Sequence, residues 1–314
     1  MFEDLTHAGL QQPLQELARD AVFIGTSSWK YPGWCGQIYD QSKYITRGKF
    51  SESRFEKDCL AEYSNIFPTV CVDAGYYRFP SPAYLEGLSK QVPDSFRFGF
   101  KVTDTITLKS YTNLPRFGVH AGKPNEHFLD AELFQKAFLS SCEPIREKVG
   151  VLIFEFSHFY PKDFAHGREF MELLDGFLGK LPKTYSYAVE VRNKNLLHPD
   201  YFAMLGSHGV AHVFNSWTKM PDLEEQIAMP GSYTTDFTVA RLLLKPGRGY
   251  EEAVSTFSPY KAVQDPNTKV REAAKKLVAK VKHGAKPSYV FVNNRLEGNA
   301  PTTIAAIIQE QTKK

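Results

Sequence analysis

Tyr187-Ala188-Val189-Glu190-Val191-Arg192 is the stretch on which the fold turns. Side chains alternate along a β-strand, so Tyr187, Val189 and Val191 share one face while Ala188, Glu190 and Arg192 share the other. A strand whose apolar face meets helices and whose other face carries an acid and a base suits the wall of a closed barrel, with the charges turned toward the axis. The neighbouring runs repeat the pattern. Glu155 and Ser157 oppose Leu152, Phe154 and Phe156; Cys71 and Asp73 oppose Val70 and Val72; Gly99 and Lys101 oppose Phe98, Phe100 and Val102. At 238–243 the alternation is weaker, with Val239, Arg241 and Leu243 on the inner side.

Working outward, eight β-rich runs are expected at 22–27, 70–74, 96–102, 151–156, 187–191, 210–214, 234–244 and 289–292. Helical periodicity falls between most of them, at 54–67, 82–91, 131–148, 166–180, 199–207 and 267–283, with a last helix at 301–311. Eight alternations of strand and helix predict a parallel (β/α)8, or TIM, barrel in a single α/β domain. An open doubly wound sheet would carry a glycine-rich phosphate loop after its first strand. Here that strand runs into Ser27-Ser28-Trp29-Lys30-Tyr31-Pro32-Gly33-Trp34, which is not such a loop. Residues 1–20 read as an amphipathic helical extension around Leu10, Leu14 and Leu17, and 21–314 as the barrel. Long connections at 29–50, 103–130 and 245–265 all follow strands, so they gather at the C-terminal mouth, where such barrels hold their sites.

Apolar residues make up 42% and charged residues 23% of the 314, the balance of a folded globular chain. A net charge of +3 is far from that of a nucleic-acid coating protein and permits an anionic ligand without demanding one. The four cysteines, Cys35, Cys59, Cys71 and Cys142, form no CxxC, which argues against a zinc knuckle or a dithiol redox motif. An acidic, polar N-terminus and the lack of a long apolar run give the expectation of a cytoplasmic protein with reduced thiols and no membrane partner.

Five segments in order resemble the YecE-like family, domain of unknown function 72. They are Ile24-Gly25-Thr26-Ser27-Ser28-Trp29 with Tyr31-Pro32-Gly33-Trp34; Phe67-Pro68-Thr69-Val70 with Tyr76-Tyr77-Arg78-Phe79-Pro80; Phe96 to Val102; Ala188 to Arg192; and Asn293-Asn294 with Gly298-Asn299-Ala300. The resemblance implies a TIM barrel and gives no reaction. The chain departs from the family pattern at Cys71 (usually Glu), Asp73 (usually Asn), Glu155 (usually Gln), and Leu108 and Leu243, near positions that tend to be His. These departures point to an altered or a lost activity.

The barrel parity brings Asp73, Lys101, Glu155, Glu190, Arg192 and Arg241 to one axis. Glu190, Asp73 and Glu155 are the candidate catalytic carboxylates. Arg192, Arg241, Lys101 and Arg78, with Trp29, Tyr77, Asn293 and Asn294, are the candidate substrate contacts. The three carboxylates also suit a hard divalent cation, although the sequence requires no cofactor. Two glycine-bearing loops, 245–250 and 297–299, stand where barrels often hold phosphate. The leading expectation is a hydrolase or lyase for a phosphorylated or otherwise anionic small molecule. A second is a nucleic-acid barrel using Arg78, Lys109, Arg116, Lys123 and Arg248. A third is a non-catalytic binding or scaffold protein whose mouth charges form an ion-pair plug. Substrate and oligomeric state are not legible.

Overall fold

The computed structural model describes residues 7–309. Eight parallel strands close on themselves: β1 (Val22–Thr26), β2 (Thr69–Val72), β3 (Arg97–Lys101), β4 (Val149–Glu155), β5 (Tyr187–Glu190), β6 (Ala211–Ser216), β7 (Val239–Leu242) and β8 (Ser288–Val292). β1 pairs with β8 over five residues and with β2 through Thr26 and Val70, completing the ring. That last seam is narrow. A Cβ on Gly25 would lie 2.0 Å from the carbonyl oxygen of Thr69, so only glycine lets the two backbones meet. The Tyr63 hydroxyl staples the seam, accepting from the Thr26 N–H at 3.0 Å and donating to the Thr69 carbonyl at 2.9 Å.

Each expected strand is present, although the seventh is shorter than the run 234–244. Thr234 turns its hydroxyl to the carbonyl of Val210 and the N–H of His212 instead of entering the ladder. The outer ring includes Glu52–Tyr63, Pro82–Ser89, Gly167–Leu178, Pro199–His208, Thr268–Val281 and Ala300–Ile308. Their starts are chemically marked. Ser51, Ser81, Asn267 and Asn299 each accept a backbone N–H of the first turn, and prolines stand in the first turns of three of the helices. The expected helix over 131–148 is instead a broken run: a π-helical turn at Phe134–Leu139 and a 3-10 turn at Glu143–Lys148. Pro144 cannot donate to a continuing α-ladder. The π turn seats both Phe134 and Phe138 in the core.

The alternation read at 187–192 holds around the barrel. Val70, Val72, Phe98, Phe100, Leu152, Phe154, Tyr187, Val189, Ala240 and Leu242 pack outward against the helices. A separate inner cluster contains Phe23, Cys71, Val151, Ile153, Ala188, Val213, Val239, Tyr289 and Phe291. The N-terminal helix His7–Arg19 buries Leu10, Leu14 and Leu17 in the outer core and sets Ala18 against the inner cluster.

Candidate functional site

Along the inner face, chemistry changes with height. The lower layers are aromatic and aliphatic. Phe291 reaches across to Gly99, where an added Cβ would lie 2.5 Å from its ring, so glycine makes room for a floor of phenylalanine. Cys71 is buried among these groups, and its thiol is pushed up to about 12, chiefly by desolvation. A thiol held protonated is a poor nucleophile.

Above the floor the strand ends carry charge. Glu190 is fully buried, and Arg241, Arg192 and Lys101 expose only 2%, 4% and 8% of their surface. One oxygen, Glu155 Oε2, receives three cations: Lys101 Nζ at 3.1 Å, Arg192 Nη2 at 3.1 Å and Arg241 Nη1 at 2.5 Å. Glu190 takes Arg192 Nη2 at 2.8 Å on one oxygen and a short contact from Arg241 Nη1 on the other. Asp73 is looser, 3.8 Å from Arg241 Nη2, and its side chain keeps 35% of its exposure. Burial by itself would raise the Glu155 pKa, but Lys101, Arg192 and Arg241 together hold it well below the usual carboxylate range. Desolvation likewise works against the Lys101 ammonium, yet Glu155 and Asp73 outweigh it and raise its pKa. Glu155 therefore stays ionised and Lys101 protonated at neutral pH.

Three cations and three carboxylates balance in charge, yet their hydrogen bonding is incomplete. Arg192 Nε and Nη1, Arg241 Nε, Asp73 Oδ1, Ser27 Oγ and Asn215 Oδ1 are buried atoms without a hydrogen-bond partner. Aromatic rings wall the cations: Trp217 lies 3.7 Å from the Arg192 guanidinium carbon, and Tyr76 lies 3.7 Å from Lys101 Nζ. Toward the loops after β1, β7 and β8 stands a second group. Arg295 lies over the Tyr250 ring at 4.5 Å, and Tyr31 meets Tyr260 edge-on at 5.5 Å. Burial pushes the Tyr31 hydroxyl up to about 12, against the opposing pull of Arg295, and Asp73 raises it further. The charges of Arg295 and Asp73 thus act in opposite senses on the Tyr31 hydroxyl.

Of the residues expected at the site, Glu190, Glu155, Asp73, Arg192, Arg241 and Lys101 converge as the parity requires. Tyr77 and Arg78 do not: both are exposed, Tyr77 at 64%. Arg116 lies 5.0 Å over Tyr77. Trp29 is buried in the outer core, and Leu108 and Leu243 are buried too. Asn293 and Asn294 serve the backbone, accepting from the N–H groups of Arg295 at 2.9 Å and Ala300 at 2.8 Å. Among the basic loop residues, Arg116 is paired with Asp104 and Arg248 with Asp265, while Lys109 lies over Phe128 and Phe164. Among the described residues no group of three or more His, Cys, Asp or Glu is placed to hold a metal ion, since the three mouth carboxylates are bridged by cations. A cleft of about 330 Å³, lined by His158, Phe159, Tyr160 and Asn193, lies on the rim beside the charge cluster and not over it. In the sequence Tyr76 stands out only within the segment Tyr76-Tyr77-Arg78, and Trp217 and Arg295 do not stand out. Parity cannot reach them, because all three lie beyond the strand ends, Tyr76 on the short helix Ala74–Tyr77.

A closed parallel barrel with its charges at the C-terminal strand ends defines a TIM-barrel protein whose candidate site is the mouth. The family described as "protein of unknown function DUF72" matches residues 23–314, and the chain belongs to it. The fold is shared with DUF72 proteins of known structure. One from Enterococcus faecalis is 18% identical with a TM-score of 0.63, covering 93% of this chain and 98% of that one. Another from Thermotoga maritima is 20% identical with a TM-score of 0.60, covering 93% and 99%. No curated protein matches the chain. Among the described residues no helix is long and apolar enough to cross a membrane.

Proposed function

We propose that the mouth is an enzyme site, hydrolase or lyase in class, for a small molecule bearing an anionic group. The observation that carries this reading is the set of buried, unpartnered polar atoms on Arg192, Arg241, Asp73, Ser27 and Asn215. Buried donors and acceptors without partners cost about 1–3 kcal/mol each. A ligand with complementary groups removes that cost. Asp73 is the group for proton transfer, being a carboxylate with partial access to solvent and only a loose ion pair. Lys101 and Glu155, both held charged, set the field around it. Glu190 lies beneath them and fixes the two arginines.

The competing reading is the ion-pair plug, favoured by Arg192 and Arg241 each already engaging both Glu155 and Glu190. The deciding experiment screens phosphorylated and carboxylated small molecules by thermal shift, then follows turnover of the binders by wild type and Asp73→Asn. The enzyme reading expects at least one binder that is turned over, with Asp73→Asn binding it normally and turning it over about 100-fold or more slowly. No binder in the panel, or turnover indifferent to Asp73, favours the plug.

A further inference from the structure

Among the described residues, buried or half-buried arginines other than Arg295 have polar partners: Arg97 donates to the backbone carbonyls of Asp94 and Phe96, and the others meet carboxylates. Arg192 and Arg241 hold Glu155 and Glu190; Arg271 holds Glu297; Arg248 holds Asp265; Arg116 holds Asp104. Arg295 is different. It is partly buried, its Nε is enclosed without a hydrogen-bond partner, and it forms no ion pair with any described residue. Its backbone is pinned by the Asn293 side chain at 2.9 Å, immediately after β8. Its guanidinium lies 4.5 Å over Tyr250, whose ring is half exposed, and burial raises the Tyr260 hydroxyl pKa against the opposing pull of the Arg295 charge. Tyr31 packs edge-on against Tyr260 at 5.5 Å, and its hydroxyl pKa, raised chiefly by burial, is lowered by the Arg295 charge and raised by that of Asp73. The mouth therefore has two unlike halves. The inner half has balanced charge. The outer half, built by the loops after β1, β7 and β8, has one uncompensated cation among tyrosines.

We infer that Arg295, with the hydroxyls of Tyr260 and Tyr31, is the anion-recognising subsite of the mouth, and that it takes a phosphoryl group. This rests on the mouth being a ligand site, and it moves the anion from Arg192 and Arg241, where their carboxylates already sit, to Arg295. A guanidinium fork binds two oxygens of an oxyanion. Two phenols add donors for further oxygens, which suits a tetrahedral phosphoryl better than a planar carboxylate. The loops after strands seven and eight are also where barrels of this class commonly seat phosphate. A phosphoryl group at Arg295 leaves the rest of the ligand to extend past Tyr31 toward Asp73.

The test is titration of the full chain with inorganic phosphate at low ionic strength, followed by calorimetry and backbone NMR shifts. Arg295→Met, Arg295→Lys, Tyr260→Phe and Lys101→Met are compared with wild type, and each is checked for folding by circular dichroism melts. Wild type is expected to bind phosphate and to shift signals from residues 250, 260 and 295. Arg295→Met is expected to weaken binding by roughly tenfold to a hundredfold, the loss of a hydrogen-bonded charge. Arg295→Lys retains part of the affinity, and Tyr260→Phe loses a few-fold. If Arg295→Met binds like wild type while Lys101→Met does not, the inference falls and the mouth reading stands. If acetate binds as tightly as phosphate with the same dependence on Arg295, the tetrahedral assignment falls. Wild type binding neither anion overturns both readings together.

Discussion

Two buried glutamate–arginine assemblies stand at the same end of the barrel and are finished differently. Glu297, just after β8, is fully enclosed and saturated: Arg271 donates from Nε at 2.9 and 3.0 Å and from Nη2 at 2.7 Å, Thr303 donates its hydroxyl at 2.6 Å, and the Asn267 N–H makes a further short bond. It ties the start of one helix to the start of the next. The axial assembly is equally deep but crowds three cations on a single oxygen of Glu155 and leaves two nitrogens of Arg192 and one of Arg241 without partners. An ion pair that serves only the fold is completed by its neighbours. The axial assembly, the proposed ligand site, keeps donors in reserve.

The sharpest way to break the contrast is Glu297→Ala. It strands the Arg271 charge and the Thr303 hydroxyl in the interior, and a loss of about 3–5 kcal/mol in denaturant unfolding is expected, with ligand binding at the mouth unchanged in the protein that remains folded. Arg241→Met is expected to cost less, about 3 kcal/mol, because Lys101 and Arg192 stay on Glu155. It also changes the pH dependence. Glu155 is held well below its ordinary value in the folded chain, so its stabilisation is present above the unfolded glutamate value and is lost as pH falls through the folded one. Losing one of the three cations shifts that loss to higher pH, which acid titrations of unfolding free energy will show.

His212 offers the smallest effect and a control without counter-charges. Its ring lies among Tyr201, Phe202 and Phe214, neither nitrogen has a partner, and burial pushes its pKa down to about 3. The unfolded chain takes up a proton near pH 6.5 and the folded chain resists, so wild type weakens as pH falls below about 6.5. His212→Phe is expected to change stability at pH 7 by about 1 kcal/mol or less and to flatten that slope down toward pH 4. An unchanged slope would place the proton elsewhere.

The barrel was legible because period-two alternation survives in seven residues or fewer, and Tyr187 to Arg192 shows it without interruption. The inner charges followed from the same parity. What escaped sequence reading was set by loops. Tyr77 and Tyr76 look equivalent on paper, and only the short helix Ala74–Tyr77 decides that Tyr76 faces Lys101 while Tyr77 faces solvent. Glu297 read as part of a glycine turn because its partners lie 26 and 6 residues away, beyond any local pattern. Arg295 drew no notice because lacking an acidic neighbour is a property of space and not of order along the chain. Of the positions expected to differ from the family pattern, Asp73 and Glu155 belong to the charge-balanced cluster, whereas Cys71 lies among the apolar groups below it.

The phenylalanine floor has a consequence for traffic. With Phe291 laid across Gly99 and apolar side chains filling the lower barrel, the axis is closed beneath the charged layer. The N-terminal end of the barrel therefore offers no second route to the charged layer. On the proposed reading, a long ligand would present only its tip to Asp73 and Glu155, and its remainder would meet Tyr31, Tyr250, Tyr260 and Arg295 in the rim loops.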